Sequence, residues 1–294
     1  MQKSILVSVI FMALISAGCA KSIKPNQLVM QKITGLKTPE SVVQATDGRI
    51  FVSEINGFGK DGDGQISVIE NGQARVFASG LDDPKGLAII GQYLYVADNK
   101  KILKVALSGT SQGQAQVFVA ANAFPVMPLF LNDLEADPQG NLYVSDSGDV
   151  FGAGKGGAIY QINPQGQVKL LINDVQDARI KAPNGLLADD TGDVLIAVDF
   201  TSGILYSLNT KTNVLADIAE GFGGGDGVVH HSNGTMFISD WKGGKVFSLS
   251  TKGDVEVLKS GYQSAADIAI TKDEKYLMVP DMKAGELDFI PLSK

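Results

Sequence analysis

Six side chains recur at one phase of a repeating pattern, and four of them are hard oxygen donors. Glu40 stands 14 residues before Glu54, Asn132 14 before Asp146, Asp226 14 before Asp240, and Asn184 15 before Asp199. Lys85 stands 13 before Asp98, and Ala266, 15 before Asp281, fills the sixth place. Two carboxylates and two amide carbonyls gathered at one point form an oxygen-only cage suited to Ca²⁺, with Mg²⁺ or Mn²⁺ as alternatives. Without a cation, Glu40 and Asp226 would repel each other in a confined space. Lys-Gly, Asn-Gly and Asp-Gly pairs also open ordinary turns, so the competing reading is a set of unrelated turn residues. Each of four such residues would then need its own reason to be polar, and the shared phase favours the cage.

Little other chemistry is available. The 294 residues contain one Cys, Cys19, and two His, His230 and His231. One Cys excludes an intrachain disulfide, a C-x-x-C redox pair and a multi-thiolate zinc site. Two adjacent His cannot build a His-rich zinc centre, and they leave little room for Ser-His-Asp chemistry. They precede an Asn233-Gly234 turn and read as solvated turn residues. The net charge of −7 supplies no electrostatic footprint for nucleic acid. Residues 59–70 resemble an EF-hand loop, but Gly59 replaces the first Asp and the flanks read as strands. Residues 148–157 resemble a phosphate loop without its spacing or its Ser/Thr. Both are expected to be loops between the second and third strands of their repeats, the latter acting as a lid.

The elements that must bring the column together are strands. Six apolar segments end in an acidic residue, at Glu54, Asp98, Asp146, Asp199, Asp240 and Asp281, with spacings of 44, 48, 53, 41 and 41 residues. An apolar run precedes each segment and one or two follow it, with turn signals between them. Four short strands per unit predict an all-β fold, a six-bladed β-propeller over residues 27–294. The last unit lacks its fourth strand, and Gln27–Ile33 is expected to supply it, closing the ring and removing both free edges. Innermost strands meet beside the central channel, so Glu40, Lys85, Asn132, Asn184, Asp226 and Ala266 should surround its mouth. The six acidic strand ends are expected to hydrogen-bond neighbouring loops and to have no catalytic role.

Ahead of the propeller, Lys3 and the uncharged run Ile5–Ala17 read as a signal peptide over residues 1–18. The sequence Ser16-Ala17-Gly18-Cys19 resembles a bacterial lipobox, with Cys19 as the lipidated first residue of the mature chain. Residues 19–26 would form a tether. Ala20, in place of an Asp, favours the outer membrane, with the domain facing the periplasm. The expected partners are a small-molecule substrate and, through the anchor alone, a membrane. The propeller is expected to be a monomer.

The motifs Pro39-Glu40, Asn132-Asp133, Pro183-Asn184-Gly185 and Asp226-Gly227, in this order and blade phase, resemble those of the regucalcin/gluconolactonase family. That resemblance covers nearly all of the mature chain. It implies a six-bladed propeller with a divalent metal on its axis, bound by Glu40, Asn184 and Asp226, with Asn132 on metal, water or substrate. It also implies a lactone or related ester as substrate. The metal would polarise the carbonyl and lower the pKa of water, and Asp226 or Glu40 would assist proton transfer. Two departures bear on specificity. Sugar-lactonase members carry Arg two residues before the Asn of the Asn-Asp pair; here Phe130 stands there, and the run Phe124–Phe130 is expected to form an apolar wall favouring a less polar lactone. Lys85 places a cation in the column, facing substrate or pairing with Glu40 or Asp226. The alternative function is a non-catalytic, envelope-tethered propeller that binds a ligand or protein.

Overall fold

A computed structural model describes residues 30–292. The signal segment, Cys19, the tether and the start of the expected closing strand lie outside the described residues. Six four-stranded antiparallel sheets follow one another along the chain. Blade one runs from Pro39–Gln44 through Ile50–Glu54 and Gly64–Glu70 to Gln73–Leu81. Blades two to five begin with the inner strands Pro84–Ile90, Leu131–Ala136, Pro183–Ala188 and Gly225–His230. In blade six, Ala269–Ile270, Tyr276–Asp281 and Glu286–Pro291 are completed by Ile33–Thr34, which pairs Ile33 with Leu287 and Thr34 with Glu286. The closure is the expected one, made by a shorter strand that ends at Gly35, where φ of +82° breaks the extended run. Among the described residues no helix is long and apolar enough to cross a membrane.

Burial follows distance from the axis. Ile50–Glu54 is buried at every position, whereas the outermost strand Val255–Ser260 is exposed at every position. The core lies between blades: Phe51, Ile66, Leu94, Val96 and Val105 pack blade one on blade two, and Tyr143, Ile159, Leu195 and Tyr206 pack blade three on blade four. Each such side chain contributes about 1.5–3 kcal/mol on burial.

Three devices aim the column residues. First, the ladder between the two inner strands shifts register between Pro39 and Val42, Pro84 and Leu87, Leu131 and Leu134, Pro183 and Leu186, and Gly225 and Val228. Glu40, Lys85, Asn132, Asn184 and Asp226 each sit in one of these β-bulges, and a bulge re-aims the side chain it carries. Second, the acidic strand ends pin the incoming chain. Glu54 accepts from Lys37 N at 2.6 Å, Asp98 from Asp82 N at 2.9 Å and Asp146 from Phe130 N at 2.8 Å. Asp199 accepts from Ala182 N at 2.8 Å and Asp281 from Ser264 N at 2.9 Å. Asp240 instead holds its own following turn, through Gly243 N at 2.7 Å. Five of the six acids thus hydrogen-bond the neighbouring loop, as expected.

Third, neighbouring inner strands touch. A Cβ on Gly185 would strike the Asp226 carbonyl oxygen, and one on Gly227 would strike Asp267 Oδ1 and Ile268 N. Neither glycine has a positive φ, and both lie inside strands rather than in turns. The Asn184-Gly185 and Asp226-Gly227 pairs are thus required by close backbone approach, which corrects the turn reading.

Candidate metal centre

The column converges as its spacing predicts. Glu40, Lys85, Asn132, Asn184 and Asp226 line one chamber at the mouth of the channel. They are 3%, 2%, 6%, 2% and 4% exposed, so the site is deeply enclosed. The sixth place, Ala266, packs with Ile55 and Met282 and makes that side of the mouth apolar. Glu40 Oε2, Asn132 Oδ1, Asn184 Oδ1 and Asp226 Oδ1 are all buried acceptors without a hydrogen-bond partner. These are the four residues expected to bind metal. A buried acceptor left unpaired costs about 1–3 kcal/mol, a cost that an electropositive partner shared by the four within the chamber would offset. Asn132 shows how its oxygen is aimed. Its Nδ2 donates to Ser147 Oγ at 3.1 Å, and Ser147 Oγ donates to the Pro183 carbonyl at 2.9 Å. The amide is thereby fixed, with Oδ1 left over.

Burial pushes the Glu40 and Asp226 carboxyls well above the usual range, and negative neighbours add to the effect: Asp226 and Asp267 for Glu40, Asp267 and Asp240 for Asp226. Below them lies a tier the column reading stopped short of. Asp267 accepts from Ser41 Oγ at 2.6 Å, and Asp133 accepts from Leu186 N at 2.6 Å and Leu134 N at 2.7 Å. Burial raises Asp267 to about 7, raises Asp133 well above its ordinary value and, farther along, raises half-buried Glu135 to about 8. Reading one residue past each column position would have exposed Asp133 and Asp267. No group of three or more His, Cys, Asp or Glu arranged to hold a metal occurs among the described residues. The mouth holds two carboxylates and two amides, a hard-oxygen mixture of the kind that suits Ca²⁺.

Lys85 is not part of an ion pair with these carboxylates: none within 4.0 Å joins it to Glu40 or Asp226. Its Nζ donates to the Asp83 carbonyl at 3.0 Å and lies 4.3 Å above the Phe130 ring. Burial lowers its pKa, opposed by Glu40, Asp83, Asp98 and Asp146. Of the run Phe124–Phe130, only Phe130 lines the chamber; Phe124 turns into the blade core against Tyr160, with ring centroids 5.1 Å apart. The rest of the apolar wall comes from residues the sequence reading did not select. Ile55, Phe200, Trp241 and Met282 each directly follow an acidic strand end, as does Ser147, and all five line the chamber. The loop over residues 148–157 does lie at the mouth, where Phe151 packs edge-on against Phe130 at 5.6 Å. The histidines are at the opposite end of their strand. His231 is buried rather than solvated, its Nδ1 accepting from Asn233 N at 3.0 Å. The EF-hand-like loop leads into the third strand of blade one, as expected.

Residues 91–279 match the SMP-30/Gluconolactonase/LRE-like family, well over half of the chain. The chain belongs to this family. Asn132, Asn184 and Asp226 fall inside the matched stretch; Glu40 precedes it. Among solved structures, a calcium-binding protein, regucalcin, from Agrobacterium tumefaciens is similar, with a TM-score of 0.70 and 18% identity over 89% of this chain and 95% of that one. The nidogen/laminin complex includes a chain similar at a TM-score of 0.62 and 19% identity, over 78% of this chain and 82% of that one. At these identities the likeness is one of fold, a fold that serves unrelated functions. No curated protein matches the chain in sequence.

Proposed function

We propose that this family member is a divalent-cation-dependent hydrolase of a lactone or related ester, acting at the channel mouth. One observation carries the proposal: four buried, unpartnered oxygens, one each from Glu40, Asn132, Asn184 and Asp226, face one enclosed chamber. Ca²⁺ fits this donor set, with Mg²⁺ or Mn²⁺ as alternatives, and the similar regucalcin structure is described as calcium-binding. When bound, such a cation polarises a carbonyl oxygen and lowers the pKa of water. Asp226 or Glu40 accepts the proton of the attacking water. A bond forms from water oxygen to carbonyl carbon, the ring C–O bond breaks, and the proton passes to the departing alkoxide. The product is a hydroxy acid.

Asn132, fixed by Ser147, positions the substrate, while Phe130 and Lys85 present an aromatic face and a cation to it. The competing reading, a non-catalytic tethered propeller, would gain support if Lys85 neutralised the carboxylates. Its ammonium is held elsewhere, on Asp83 and Phe130. We further propose that the chain is exported, lipidated at Cys19 and held as a monomer at the outer membrane, facing the periplasm.

The test is a panel of lactones offered to purified protein before and after chelation. Hydrolysis that EDTA abolishes and Ca²⁺ restores is the expected result. Hydrolysis indifferent to both treatments would reject the cation's role, and no hydrolysis of any lactone or ester would leave the binding scaffold as the better reading.

A further inference from the structure

We infer that the outer vestibule above the candidate centre binds an apolar arm of the substrate, so that the preferred lactone or ester carries an alkyl chain or aryl group rather than a set of hydroxyls. This rests on the hydrolase reading for its substrate and on independent geometry for its site. The inner chamber, at about 50 Å³, is much the smaller of two adjoining spaces. It adjoins a vestibule of about 850 Å³. Five residues line both spaces: Phe58, Phe130, Phe151, Trp241 and Met282. All five are apolar, so whatever extends outward from the centre passes an apolar throat.

Two of these rings remain widely accessible, Phe58 at 50% and Phe151 at 77%. Large accessible aromatics at a cavity mouth signal a binding surface. Apart from the Lys283 ammonium, the vestibule's polar side chains are meanwhile engaged. Asp83 accepts from Gly59 N at 3.1 Å, Thr38 Oγ1 donates to the Asn56 carbonyl at 2.9 Å, and the Trp241 indole N–H points at Met282 Sδ at 3.3 Å. Lys283 Nζ lies 4.0 Å over the Trp241 ring. Hydroxyls placed here would lose water without finding enough replacement partners, whereas methylenes would gain by leaving water.

Trp241 is the only tryptophan in the chain, so its fluorescence reports occupancy of the throat whether or not the ligand is cleaved. The protein is titrated with γ-butyrolactone, γ-octalactone, γ-dodecalactone and glucono-δ-lactone, in Ca²⁺ and again in chelator, with hydrolysis followed in parallel. The alkyl lactones should change the emission saturably, with half-saturation falling about two- to fourfold per added methylene. Glucono-δ-lactone should produce no such change. Replacing both accessible rings, Phe58→Ala with Phe151→Ala, should flatten the chain-length dependence.

A response independent of chain length, an equal response to glucono-δ-lactone, or unchanged dodecalactone binding by the double variant would each overturn the inference. The two readings fail separately. Chain-length-dependent binding without cleavage would keep the vestibule and remove the hydrolase, and cleavage without chain-length dependence would do the reverse.

Discussion

Asp226→Asn is expected to lower Ca²⁺-dependent lactone hydrolysis at least hundredfold while leaving the cation-free propeller as stable as the parent, or more so. The same outcome is expected of Glu40→Gln. On the proposed mechanism both carboxylates hold the cation and one of them accepts the proton, and loss of a positioned acid-base group alone lowers rates by about 10²–10⁴-fold. The stability side follows from the electrostatics. Both carboxyls are buried beside other acids, which holds their pKa values up, so the ionised forms burden the fold in the absence of a cation. An isosteric amide removes that burden. Activity lost while the melting temperature of the cation-free form is kept or raised would therefore distinguish a functional carboxylate from a structural one. A variant that keeps its activity, or that loses activity by unfolding, would count against the assignment. Kinetics and thermal unfolding on the same samples decide between these outcomes.

The second large effect is on pH dependence. The folded-state pKa values of Asp267, about 7, and Glu135, about 8, lie above those of an unfolded chain. Between the unfolded and folded values the native state binds more protons than the unfolded state, so stability falls as pH rises. Stability from these groups is thus fully present below about pH 4 and has been lost by about pH 8. Each group contributes a slope on the order of 1 kcal/mol per pH unit within its window. Cation-free protein should melt at a lower temperature at pH 8 than at pH 5.5. Ca²⁺ should act in the opposite sense, because its ligands bind as carboxylates and protons compete with it, so its stabilising effect should grow with pH. Melting curves at three pH values, with and without Ca²⁺, test both signs. A cation-free profile that rises with pH would contradict the account of the acidic channel.

Much of this was legible in the sequence because a propeller repeats itself. The six acidic strand ends set the phase, the phase located the column, and the missing fourth strand of blade six required a closing strand from the other end of the chain. The structure bears out the ring, its closure and the gathering of Glu40, Asn132, Asn184 and Asp226. What lay beyond reach depended on backbone detail that strand counting does not carry. The bulges that turn the column inward also direct the next residue inward, bringing Asp133 and Asp267 into the channel below.

Gly185 and Gly227 looked like turn glycines, because nothing local reveals that another strand's backbone touches them. The apolar wall was sought in Phe124–Phe130 because that run is contiguous. Most of it instead comes from single residues of different blades, Ile55, Phe200, Trp241 and Met282, each just past an acidic end. Lys85 stood correctly in the column, but its hydrogen bond to the Asp83 carbonyl and its place over Phe130 depend on how two blades face each other.

The central claim is that the four oxygens share one ion, and calorimetric titration of cation-free protein with Ca²⁺, paired with metal analysis, tests it most directly. The expected result is one strongly bound ion per chain, with affinity rising with pH and lost in both Glu40→Gln and Asp226→Asn. A protein that binds no divalent cation, or whose single site survives both substitutions, would contradict it.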